Sequence, residues 1–101
     1  MNDRSLSTII ALLDRYPEPP YTKDTLDSEK EQITFSKWAL NEMLDLVMDH
    51  PWTLASETIW DFQLKCQLYV RASVTDEQRR IFSIAAHTAA ELLEKIKEVE
   101  D

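Results

Sequence analysis

The stretch Thr75-Asp76-Glu77-Gln78-Arg79-Arg80-Ile81-Phe82-Ser83-Ile84-Ala85-Ala86-His87-Thr88-Ala89-Ala90-Glu91-Leu92-Leu93-Glu94-Lys95-Ile96-Lys97-Glu98-Val99 decides the fold class. Its first four residues fit a capping box, with Thr75 before the first helical residue and Gln78 at the third helical position. Stepping 100° per residue puts Ile81, Phe82, Ala85, Ala89, Leu92, Leu93, Ile96 and Val99 on one stripe. Arg80, Ser83, His87, Glu91, Glu94 and Glu98 lie opposite. Neither proline nor glycine interrupts the run, so the spacing predicts one amphipathic helix over residues 75–100.

Working outward, Ser73-Val74 separates this helix from one expected over Thr53–Ser73, for which Thr53 is a candidate cap. That third helix carries two apolar faces. Ala55, Ile59, Phe62, Cys66, Tyr69 and Val70 form one, and Trp60, Leu64 and Leu68 form another, roughly opposite. A second helix is expected over 28–50, opened by Asp27 or Ser28 and ended by Pro51. Ile33, Ala39, Leu40, Met43, Leu44, Leu46 and Val47 form its buried arc, and Trp38 interrupts its polar one. A short first helix spans about Ser5 to Tyr16. Residues 17–27, opening Pro17-Glu18-Pro19-Pro20, read as an extended linker.

At 1.5 Å per residue the last three helices are each about 30–40 Å long. Similar lengths and two-residue connections imply antiparallel neighbours. The expected fold is therefore all-α: one domain over 1–101, with an antiparallel three-helix core and a short N-terminal fourth helix joined by a Pro-rich linker.

Composition supports helices and narrows the chemistry. The chain has 101 residues and no glycine, where average usage would supply about seven. Without glycine there is no P-loop, dinucleotide fingerprint, nucleophile elbow or EF-hand loop. A net charge of −8 disfavours direct contact with nucleic acid or an anionic membrane surface. Cys66 is the single cysteine, which excludes an internal disulfide and fits a reducing compartment. No leader or spanning segment is read, and a cytoplasmic location is expected.

Individual candidates for chemistry give way to plainer roles. His50 ends a helix and His87 sits on a polar face, four residues before Glu91, so neither completes a metal motif. Cys66 has apolar neighbours at helical spacing and reads as core. Arg71, Arg79 and Arg80 cluster near the last turn, where Asp76 and Glu77 are expected to neutralise them. Glu42 and Asp45 form an ExxD. Helical nucleotide pyrophosphohydrolases place an ExxE before an ExxD around magnesium. Here no ExxE precedes, and Glu91–Glu94 follows in the wrong order.

The sharpest feature is acidic. Between Trp38 and Leu64 there are five acidic residues, Glu42, Asp45, Asp49, Glu57 and Asp61, and no lysine or arginine. With Trp38 and Trp52 interspersed, these carboxylates suit a basic protein surface. The expected function is a small acidic helical interaction or regulatory module, not an enzyme, which binds or blocks a basic, nucleic-acid-binding partner and needs no cofactor or metal. The alternatives are a magnesium enzyme of the pyrophosphohydrolase type and a structural homodimer. The second apolar face of the third helix, Trp60, Leu64 and Leu68, needs cover from the first helix or from a second copy.

Overall fold

The computed structural model describes residues 3–15 and 27–100, with side-chain surroundings for 5–15 and 27–98. These residues form four helices, α1 (Asp3–Leu13), α2 (Asp27–Asp49), α3 (Ala55–Ala72) and α4 (Asp76–Glu100). No strand occurs among the described residues. The expected linker lies outside them, save for Asp27, which opens α2.

The helix ends follow local hydrogen bonding. α1 starts two residues earlier than the sequence pattern suggests and stops at Leu13, after which Arg15 N–H donates to Leu12 O at 3.2 Å. Thr53 does not cap α3. Its N–H donates back to His50 O at 3.1 Å, closing the turn around Pro51, and Leu54 becomes the residue before the helix. Leu54 O then accepts from Glu57 and Thr58 N–H, with no side-chain cap.

At the other end of α3, Ser73 leaves the helix at φ −66°, ψ 136°. This is an extended conformation any residue adopts, so the missing glycine costs nothing here. The Ser73 hydroxyl donates to Tyr69 O, satisfying one of the terminal carbonyls. Gln78 N–H donates to Thr75 Oγ1 at 3.1 Å, the first half of the expected capping box. The reciprocal half reaches one residue further back, because Val74 N–H donates to Gln78 Oε1 at 3.1 Å.

The core collects the stripes of all four helices. Ile9 joins Ala39, Leu40, Met43 and Val47 of α2, Ala55, Ile59, Phe62 and Cys66 of α3, and Ala85, Ala89, Leu92, Leu93 and Ile96 of α4. The most extensive contact is α3 on α4, and α1 packs against α2 and α4. α1 reaches the core through Ile9, with Leu6, Leu12 and Leu13 partly buried beside it, while Ile10 stays exposed.

Two hydroxyls sit inside the α2–α4 seam. Thr88 Oγ1 donates to Ile84 O at 2.8 Å and lies 3.2 Å from Ser36 Oγ. Thr88 has one proton, so with that proton on Ile84 the Ser36 hydroxyl donates to Thr88. Gln32 Nε2 donates to Ser36 Oγ at 3.3 Å. The chain places two small hydroxyls opposite each other, and each serves the other.

Candidate functional site

The corner between α2 and α3 is the most unusual surface of the molecule. His50 N–H makes a helical bond to Leu46 O at 3.2 Å, Pro51 prevents continuation, and the turn projects Trp52 outward. Trp52 is 97% exposed. Met48 before it and Leu54 after it are also exposed. An indole almost fully bared to water, with two exposed large apolar side chains close by in sequence, is an unusual arrangement for a protein surface.

The electrostatics of this corner lean acidic on the α2 side, while Lys65 of α3 borders the groove that His50 and Thr53 line. Asp45 and Asp49 lie exposed near the C-terminal end of α2, and no basic residue stands in its last turn. A helix C-terminus already carries about half a unit of negative charge. Two carboxylates there add to that potential at a cost of about 0.3–1 kcal/mol each at most. The resulting field attracts cations, and the nearby indole face offers a guanidinium or ammonium a cation–π contact.

The other acidic residues of the sequence pattern are distributed differently. Glu42 is exposed on α2, one turn before Asp45. Glu57 borders a groove with Ser56, Trp60, Leu93 and Lys97, on the α4 side of α3. Asp61 borders another with Leu46, His50, Thr53, Thr58 and Lys65, on the α2 side. The stripe read along the sequence thus divides at α3, and each of these two carboxylates shares its groove with a lysine. Trp38 is only partly exposed, with its ring 6.3 Å from that of Phe62. It is a bridge from α2 to α3 as much as a surface residue.

Trp60, Leu64 and Leu68 are 49%, 40% and 59% exposed on the outer face of α3. Of the three arginines near the last turn, Arg79 and Arg80 are engaged, the second with a partner not evident from sequence proximity, and Arg71 borders a groove with Ser83 and Ala86 of α4. Arg79 pairs with Asp76, and its guanidinium holds that carboxyl below the usual carboxylate range, chiefly through the hydrogen bond. Arg80 Nε donates to Glu31 Oε1 of α2 at 2.9 Å, and this bond raises the guanidinium further above its ordinary value. His87 Nε2 stands 2.9 Å from Glu91 Oε1.

Cys66 is buried among the core residues, and that burial pushes its thiol up to about 11. Such a thiol is a poor nucleophile near neutrality. Among the described residues no three His, Cys, Asp or Glu side chains converge on a point that could hold a metal ion. Among them, too, no helix is long and apolar enough to cross a membrane. Compared with known proteins, the chain matches no protein family, no curated protein and no solved structure.

Proposed function

We propose that this chain is a non-enzymatic, cytoplasmic interaction module that docks a basic protein partner at the α2–α3 corner. The observation that carries the reading is Trp52, 97% exposed between exposed Met48 and Leu54. Tryptophan and methionine are enriched in protein interfaces, and tryptophan especially at their energetic centres. Asp45, Asp49 and the C-terminus of α2 supply the negative field that selects arginine- or lysine-bearing surfaces. Glu42 extends that field along the helix.

The same reading takes α2, α3 and α4 as an antiparallel core joined by short turns, which makes the corner a rigid platform. Two contacts support this order for α3 and α4. The Tyr69 and Phe82 rings lie 5.0 Å apart, tilted by 45°, at one end, and Glu57 and Trp60 share a groove with Leu93 and Lys97 at the other.

The test is affinity capture from native lysate with the wild-type chain, Trp52→Ala, and Asp45→Lys/Asp49→Lys as baits. A basic protein held by the wild type, weakened by salt and lost with both variants is the expected result. Capture that is indifferent to both variants and to salt overturns the reading.

A further inference from the structure

Five residues of α3 follow one another along its outer face at spacings of three, four, four and three: Glu57, Trp60, Leu64, Leu68 and Arg71. At 100° per residue they fall within about 80° of one another, on the side opposite Ala55, Ile59, Phe62 and Cys66. All five are exposed. The stripe has a symmetry of its own, and its edge also borders α4, where Glu57 and Trp60 share a groove with Leu93 and Lys97, and Arg71 one with Ser83 and Ala86. Its middle is Leu64, its flanks are Trp60 and Leu68, and its ends are an acid and a base.

We propose that a second copy of this chain seats on this face, with the two α3 helices antiparallel about a two-fold axis at Leu64. In that register Leu64 meets its own counterpart, Trp60 packs on Leu68 of the second copy, and Glu57 faces Arg71 of the second copy. Two-fold symmetry makes each of the unlike contacts twice. The opposite arrangement is penalised by charge, since parallel helices in register would set Glu57 against Glu57 and Arg71 against Arg71. Antiparallel helices also oppose their macrodipoles favourably.

The occupant is a second copy because of this charge complementarity. α1 lies mainly on α2 and α4, where Leu6, Ile9, Leu12 and Leu13 already pack on the core. Trp60, Leu64 and Leu68 together present roughly 300 Å² of apolar surface per copy, given the areas of such side chains and their exposure. That is enough for a dry centre, with Glu57 and Arg71 forming the rim, although it stands below the ~800 Å² per partner of a standard interface. The contact is therefore weak and concentration-dependent. It uses a different face from the Trp52 corner and does not depend on that corner's function.

Sedimentation equilibrium over roughly 10–500 µM spans the micromolar affinities expected of so small an interface. The wild type should rise from the 11.8 kDa of the single chain toward twice that mass. Leu64→Glu, which brings two carboxylates together on the axis, should stay monomeric with an unchanged helical spectrum. Should Leu64→Glu unfold, the surface charge swaps still decide. Glu57→Arg and Arg71→Glu should each weaken association several-fold, and the double swap should restore it. A monomeric mass throughout the range overturns the proposal, as does a double swap no tighter than either single one.

Discussion

Replacing Thr88 by valine isolates the energetics of the α2–α4 seam. Valine keeps the shape of threonine and removes its hydroxyl. Ser36, itself buried, then retains the hydrogen bond from Gln32 Nε2 but loses the acceptor for its own proton. A buried donor left without a partner costs about 1–3 kcal/mol. Ser36→Ala is the milder change, because the Thr88 proton remains on Ile84 O and the Gln32 amide is near water. Its cost should stay below about 1 kcal/mol. In the double variant the orphaned donor is gone, so Thr88→Val in the Ser36→Ala background should cost only a few tenths of a kcal/mol, a coupling of about 1–2 kcal/mol. Urea unfolding followed by circular dichroism measures all four corners of the cycle, and each kcal/mol should move the Tm by roughly 4 °C for a chain of this size. If Thr88→Val costs the same with and without Ser36, the reasoning fails. The Ser36 proton would then be discharged elsewhere on its own helix, and the two hydroxyls would merely be neighbours.

Two other perturbations follow from the described geometry. Thr75→Ala removes the oxygen that accepts from Gln78 N–H at the start of α4 and should cost about 0.5–2 kcal/mol in thermal unfolding; an unchanged Tm would mean that the cap contributes nothing. Cys66 should react with a thiol reagent at pH 8 far more slowly in the native chain than in urea. Its ordinary value of 9.0 applies to the unfolded chain and about 11 to the folded one, so between these pH values the unfolded state binds fewer protons. Stability contributed by the neutral buried thiol is thus complete below pH 9 and lost as pH rises through 11. A Cys66→Ala variant should show a shallower alkaline decline than the wild type, and identical declines would reject the assignment.

Periodicity in the sequence reveals what each helix does alone, because a 3.6-residue repeat is a property of one segment. The stripe of Ala85, Ala89, Leu92, Leu93 and Ile96, the buried arc around Leu40 and Met43, and the core position of Cys66 were all legible in this way. Choices between helices were not. The stripe on α1 fits an apolar groove anywhere, and only shape decides that Ile9 enters the core beside α2 and α4. The Glu31–Arg80 pair joins residues 49 apart in sequence, which no local spacing foretells. Helical spacing puts Ser36 and Thr88 on the apolar arcs of α2 and α4, but that the two hydroxyls meet across the seam depends on how the helices pack.

The candidate surfaces divide along the same line. The exposure of Trp52 follows from Pro51 and a turn of a few residues, so the sequence already hinted at it. The separation of Glu57 from Asp61 depends on which neighbour flanks each side of α3, and a linear count of carboxylates merges them. Thr53 carried a plausible capping side chain, yet the turn around Pro51 starts the helix one residue later and leaves Leu54 at the cap position.

The glycine-free turns also act on the state the protein leaves when it folds. Leu54 at φ −60° and Ser73 at φ −66° flank α3 with backbone angles that any L-residue reaches without strain. At these two positions the chain gives up nothing by carrying side chains. Its denatured ensemble is meanwhile narrower, since every Cβ removes conformations an unfolded glycine would sample. Where the native angles allow it, each such replacement is worth about 0.4–1 kcal/mol, acting entirely through the unfolded chain. A bundle with a modest core is in this way supported from outside its own contacts, by the disorder its sequence withholds from the competing state.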